Sequence, residues 1–78
     1  MNIDFDEVRM LRDDYVDALH AENAALFAVS AYLNSGGKDV KELARLQAEV
    51  QKAYEETTRA GKAWNERIAQ ALPKDAQS

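Results

Sequence analysis

The sequence predicts an all-α protein, an antiparallel two-helix hairpin with long helices over about residues 4–34 and 39–72. Three observations support this prediction. Strong helix formers dominate both segments, apolar residues recur every three or four positions, and helix breakers are confined to Asn34–Gly37 and Leu72–Pro73. A short turn between long helices makes them antiparallel neighbours. We therefore expect residues 1–72 to form one helical-hairpin domain and residues 73–78 to form a disordered tail.

Each predicted helix begins with its own capping signal. Asp4 and Asp39 suit the N-cap position, where a short polar side chain accepts a hydrogen bond from a free backbone amide. Glu7 and Glu42 follow three residues later, as a capping box requires. Asn34 or Gly36 can adopt the left-handed conformation that ends the first helix. The helix boundaries are thus predicted by local chemistry.

An apolar stripe along each helix predicts the face on which the two helices pack. In the first helix the stripe is interrupted at Glu22 and Asn23 and consists of Val8, Leu11, Tyr15, Leu19, Leu26, Val29 and Leu33. In the second it consists of Leu43, Leu46, Val50, Tyr54, Thr57, Gly61, Trp64, Ile68 and Leu72. A turn at Gly36–Gly37 pairs residues whose numbers add to about 73. This register brings the large Leu11 and Tyr15 opposite the small Gly61 and Thr57.

The segment Ala24–Leu33 is apolar almost all the way round, and one neighbouring helix covers only one side of it. A helix that is apolar on all sides is normally buried on all sides. We therefore predict a partner or dimer interface on its other side, comprising His20, Ala24, Phe27, Ala28, Ala31 and Tyr32. The alternative is that the alanines are simply exposed and Phe27 widens the core stripe. A C2 dimer forming a four-helix bundle is the simplest arrangement that covers this surface.

Charge is unevenly distributed along the chain, whose net charge is −4. Residues 1–34 carry seven acidic and two basic side chains, a net charge of −5, and residues 38–72 carry seven basic and six acidic ones, a net charge of +1. An acidic face is predicted from Asp6, Asp13, Asp14 and Asp17. Without a basic cluster the chain lacks the electrostatic footprint of a nucleic-acid-binding protein, so direct binding to DNA or RNA is not expected.

Side chains that carry catalysis or hold metals are sparse. Cysteine is absent and histidine occurs once. Asp13, Asp17 and His20 fall on one helix side at spacings that suit a cation, but no fourth ligand is evident. Ser30 and Ser35 have no neighbouring base that would activate a nucleophile. We expect a non-enzymatic protein with no catalytic residues, no metal and no cofactor.

Neither a secretory signal nor a membrane span is expected. The N-terminus lacks the positive charge and apolar core of a signal peptide, and Ala24–Leu33 is half the ~20 residues needed to cross a bilayer. The expected location is cytoplasmic.

These patterns lead to three function hypotheses. The first is a protein–protein interaction module, a small dimeric hairpin acting as adaptor, chaperone or inhibitor of a partner protein. The second is an acidic nucleic-acid mimic that occupies a DNA- or RNA-binding protein. The third is a metal-binding helical bundle built on Asp13, Asp17 and His20.

Overall fold

A computed structural model describes residues 4–72 and confirms the predicted hairpin. Helix α1 spans Phe5–Asn34 and helix α2 spans Val40–Ala71, and the described residues contain no strand. The two helices pack along their length, and the molecule measures 56 × 23 × 16 Å. Both helices begin and end within one residue of the predicted boundaries. The predicted tail at 73–78 lies outside the described residues.

Both N-caps form at the predicted residues, but the predicted capping box of Glu42 is wrong: the Asp39 amide donates to the Tyr32 hydroxyl, and the Glu42 carboxylate binds Arg45. The Asp4 carboxylate accepts hydrogen bonds from the backbone amides of Asp6 at 3.0 Å and Glu7 at 3.2 Å. The Asp39 carboxylate accepts one from the amide of Lys41 at 2.9 Å. These amides have no partner within the helix, so each cap satisfies donors that would otherwise need water.

The turn ends α1 in a Schellman motif. Gly36 adopts the left-handed conformation with φ +85° and donates to the carbonyl of Leu33 at 3.1 Å, and Gly37 donates to the carbonyl of Tyr32 at 3.0 Å. The Tyr32 ring lies directly over Gly37. Its hydroxyl accepts a hydrogen bond at 2.7 Å from the backbone amide of Asp39, the N-cap residue of α2. One side chain thus connects the end of α1 to the start of α2.

We predict that Gly37→Ala destabilises the protein through Tyr32. An added Cβ would overlap the ring carbons of Tyr32, so the ring must shift and lose its hydrogen bond, at a cost of ~1–3 kcal/mol. Chemical denaturation at one fixed protein concentration measures this cost. In a Tyr32→Ala background the cost of Gly37→Ala should largely disappear, as a double-mutant cycle would show.

Gly36→Ala is the matched comparison for that cycle. Its Cβ meets no atom within 4 Å, and its cost of ~1–2 kcal/mol comes from the left-handed backbone alone. That cost should be the same in the wild-type background and in the Tyr32→Ala background. Equal costs of Gly37→Ala in the two backgrounds would show that the ring contact is irrelevant.

The seam between the helices is narrow and is made largely of small residues. On α1 the residues facing α2 are Val8, Leu11, Tyr15, Ala18, Glu22, Ala25, Val29 and Tyr32, which are all buried or half-buried. Among residues 4–72 the buried apolar side chains are Ala18, Leu46, Ala60 and Ala71. A single buried leucine and three alanines make a thin core.

The predicted stripe of α1 is therefore partly wrong. Leu19, Leu26 and Leu33 are exposed, and Ala18 and Ala25, each one residue before a leucine of the stripe, occupy the seam instead. Small side chains let two helices approach closely, and a leucine at the same place would hold them apart. The leucines consequently lie at the edge of the seam.

Glu22, which interrupts the predicted stripe, is half-buried in the seam, while Asn23 is exposed. Glu22 lies four residues after Ala18 and three before Ala25, so it fits the spacing of the seam residues. Asn23 lies on the solvent-exposed surface.

Two contacts fix the register of the helices close to the predicted one. Tyr15 packs on Gly61, where an added Cβ would lie 3.1 Å from the ring. A large side chain thus meets a small one, but the predicted neighbour of Tyr15 is Thr57 and that of Gly61 is Leu11, so the pairing is shifted along α2 from the predicted one. The hydroxyl of Thr57 lies 3.0 Å from the carbonyl of Ala53 in its own helix and 3.1 Å from that of Ala18 in α1. This polar contact inside the seam is possible because the helices are close.

Thr57→Val tests the seam hydrogen bond, and Thr58→Val is its control. Valine keeps the shape of threonine, so Thr57→Val removes the contact with Ala18 and should cost ~1 kcal/mol. Thr58 is exposed and its hydroxyl bonds the Tyr54 carbonyl of its own helix at 2.9 Å. Its replacement should leave the unfolding free energy nearly unchanged. Equal costs in urea denaturation would contradict a specific interhelical contribution.

Candidate interaction surface

The hairpin has two broad sides that differ in chemistry. One side, here called the polar face, carries the ion pairs between the helices. Arg67 Nε lies 2.7 Å from Glu7 Oε1, and Arg59 Nη2 lies 3.9 Å from Asp14 Oδ2. Glu7, predicted as a capping-box residue, thus also ties the start of α1 to the end of α2. Such partly exposed pairs contribute little to stability, but they mark this side as polar.

The polar face also contains a shallow open depression of about 310 Å³. Its floor is formed by alanines and its rim by charged side chains, and the lining residues are Ala18, Ala21, Glu49, Lys52, Ala53 and Glu56. The lining contains no nucleophile with an adjacent base. It is a groove left by small residues at the seam.

The opposite side, here called the apolar face, consists of Leu19, Leu26 and Leu33 from α1 and Tyr54 from α2. Their exposed fractions lie between 37% and 54%. The leucines are seven residues apart, which places them in one row along the helix. Sequence reasoning assigned these leucines to the hairpin core and so missed this surface. The alanines one position before Leu19 and Leu26 were the signal that could have revealed it.

The predicted partner interface lies on a third surface, the outer side of α1. Phe27 points away from α2 and is 75% exposed, so it does not widen the core stripe. His20, Ala24 and Ala31 are also exposed, and these four residues form what we call the Phe27 ridge. The other two predicted interface residues lie elsewhere: Ala28 is half-buried, and the Tyr32 side chain is bound to the turn. Whether a partner binds the ridge stays a prediction.

The predicted acidic face is partly neutralised by neighbouring arginines. Three of its four carboxylates have such a neighbour, in the pairs Asp6–Arg9, Asp13–Arg12 and Asp14–Arg59. A mimic of nucleic acid needs a row of unpaired negative charges at phosphate-like positions. The pairing therefore does not favour the nucleic-acid-mimic hypothesis.

The candidate metal ligands are not gathered into a site. Within residues 4–72, no group of three His, Cys, Asp or Glu side chains is arranged to hold a metal ion. The metal-binding hypothesis on Asp13, Asp17 and His20 therefore has no support from one chain. Ser35, considered as a nucleophile, donates its hydroxyl hydrogen bond to the Tyr32 carbonyl at 2.8 Å and so belongs to the turn.

Two glutamates of α2 have a lowered pKa because an arginine one turn later binds them. The hydrogen bond from Arg45 is the main cause for Glu42, and the hydrogen bond from Arg59 is the main cause for Glu56. The positive charge of each arginine adds to the effect. Both carboxylates lie at the surface, where such pairs stabilise a helix slightly.

The lowered pKa values predict a small loss of stability in acid. A carboxylate whose folded pKa lies below its unfolded value of 4.5 stabilises the fold above that pH, and the contribution disappears as pH falls through the folded pKa. A Glu42→Gln, Glu56→Gln double variant should therefore be less stable than the wild type at pH 7. Thermal unfolding between pH 7 and pH 3 should show the difference shrinking, and a difference that grows in acid would contradict the assignment.

Among the described residues, neither helix is apolar over a stretch long enough to span a membrane. Comparison of the chain with known protein families, with curated proteins and with solved structures finds no match.

Proposed function

We propose that this protein is a non-enzymatic protein–protein interaction module that works as a homodimeric four-helix bundle and acts as an adaptor, chaperone or inhibitor. One observation carries the proposal. Among residues 4–72, ten large apolar side chains are at least 37% exposed, whereas Leu46 is the only side chain larger than alanine in the buried core. Exposed apolar surface of this extent is typical of a protein that binds another protein.

The energetics of a small hairpin support the same proposal. A core in a chain of this size rarely supplies more than ~3–5 kcal/mol, and the core here is thinner than usual. Fully burying one leucine contributes ~1.5–3 kcal/mol. A second chain that covers the apolar face therefore adds stabilisation comparable with the whole core of one hairpin. Disulfides, the common alternative for small domains, are excluded because the chain has no cysteine.

The Phe27 ridge is the part of the surface best suited to a different partner protein. Phe27 is an aromatic anchor with alanines on either side of it, and Asp13 and Asp17 continue the same side of α1 towards its start. An apolar pocket with a basic rim would complement this ridge. The proposed partner is therefore a protein with such a groove, and the ridge would enter it as a helix.

Oligomeric state is the first test. Sedimentation velocity and light scattering from micromolar to submillimolar protein concentration should show a dimer. The melting temperature should rise with protein concentration, because association stabilises only the folded chain. A monomer throughout this range, with a melting temperature independent of concentration, would remove the basis of the proposal.

The Phe27 ridge has its own test. Affinity purification from the native host with the wild type and with Phe27→Asp should recover a partner with the wild type alone. Ala48→Asp is the matched control, since Ala48 is exposed but lies on α2. Loss of the partner with both variants would point to a general effect of added negative charge.

A further inference from the structure

We propose that the second copy of the chain docks on the apolar face and that the turns of the two hairpins lie at the same end of the bundle. This inference rests on the proposed homodimer and specifies its interface. In the resulting bundle, α1 of each chain lies between α2 of its own chain and α2 of the second copy. The proposal rests on the direction of the apolar stripes, on the net charge of each helix and on the heights of the apolar residues along the bundle.

The direction of the apolar stripes identifies the docking side. Successive residues of an α-helix are ~100° apart, and on this scale the stripe of α1 points ~50° away from the side that α1 buries against α2. The stripe of α2 points ~45° away from its own buried side. Both stripes turn towards the apolar face. The large apolar residues therefore lie between the side of each helix that packs within the hairpin and the side on which the second copy would dock.

A four-helix bundle requires this offset. Each helix of a bundle has two neighbours roughly at right angles, so its apolar stripe points ~45° from the line to either neighbour. A self-sufficient hairpin would have its stripes centred on the seam. The interhelical ion pairs Glu7–Arg67 and Asp14–Arg59 lie on the polar face, so docking on the apolar face leaves both of them intact.

The size of the hairpin is sufficient for such an interface. The broad side of a molecule measuring 56 × 23 × 16 Å exceeds the ~800 Å² per partner that a stable interface commonly buries. The apolar residues on this side are Leu19, Leu26 and Leu33 on α1 and, on α2, Tyr54 together with Val40, which lies two heptads earlier on the same side and is 78% exposed. The contact is thus expected to be strongest in the half of the hairpin nearest the turn.

Charge selects between the two possible arrangements of the bundle. With the turns at opposite ends, α1 would pack beside α1 of the second copy, and residues 4–34 carry a net charge of −5 in each chain. With the turns at the same end, α1 packs beside α2 of the second copy, and residues 38–72 carry a net charge of +1. Like charges repel, so the arrangement with the turns together is favoured.

The register of the apolar face supports the same arrangement. A two-fold axis along the bundle keeps equivalent residues of the two copies at the same height. Leu33 of one chain then lies near Val40 of the second copy, and Leu19 lies near Tyr54 of the second copy. All four side chains are at least 37% exposed in the single hairpin. The apolar residues left exposed by the seam of one hairpin thus lie at the same height as exposed apolar residues of the second copy and can pack against them.

Two adjacent substitutions test the docking side. Leu26→Asp places a charge on the apolar face and should weaken the dimer by at least ~100-fold in dissociation constant, which corresponds to the loss of one buried leucine and the burial of a charge. Phe27→Asp is the matched control, because it alters the next residue on the outer side of α1 and should leave the dimer intact. Circular dichroism at high concentration checks that both variants remain helical. Dissociation by Phe27→Asp and not by Leu26→Asp would overturn the proposal.

Spin labelling tests the arrangement without disturbing the interface. The chain has no cysteine, so Lys38→Cys beside the turn and Asn65→Cys near the far end each provide one exposed labelling site per chain. With the turns together, electron–electron distances within the dimer should be below ~30 Å at both sites, since neighbouring helices are ~8–10 Å apart. With the turns at opposite ends, at least one distance approaches the 56 Å length of the hairpin, and that result would refute the arrangement.

These outcomes separate the inference from the proposed function on which it rests. A wild-type chain that is monomeric at all concentrations contradicts both. A wild-type dimer that Leu26→Asp leaves intact, or that gives one long label distance, contradicts the inference alone.

Discussion

The close approach of the two helices at the seam is the constraint on which the rest of the structure depends. Ala18 on α1 and Ala60 and Gly61 on α2 are buried, and the hydroxyl of Thr57 reaches the Ala18 carbonyl at 3.1 Å. An interhelical contact between a side chain and a backbone carbonyl requires the absence of large side chains between them. The seam therefore excludes the leucines of α1, which is why Leu19, Leu26 and Leu33 lie at its edge and remain exposed.

That exclusion gives the hairpin two different sides. The polar face carries the ion pairs that cross between the helices, and such exposed pairs contribute little free energy. The apolar face carries Leu19, Leu26, Leu33 and Tyr54, which are 37–54% exposed in one chain. Among residues 4–72, half of the large apolar side chains are thus exposed in a single hairpin.

Under the proposed function, two surfaces matter: the apolar face, for which the proposed occupant is a second copy, and the separate Phe27 ridge, for which it is a different protein. The two surfaces lie on different sides of α1, so occupation of one leaves the other accessible. A bundle that presents two copies of the ridge would bind a divalent or dimeric partner more tightly than a single hairpin does, through effective concentration.

The sequence by itself determined the elements of the fold. The N-caps at Asp4 and Asp39, the position of the turn and the approximate register depend on interactions between residues close in the chain, or on a turn too short to permit another arrangement. The tertiary structure alone decided which part of each apolar stripe enters the seam. Ala18 and Leu19 are adjacent and both fit a helical periodicity, and only close packing against α2 at Thr57 selects the smaller one. It also decided the role of Tyr32, whose hydrogen bond to Asp39 spans the turn and cannot be read from helical spacing.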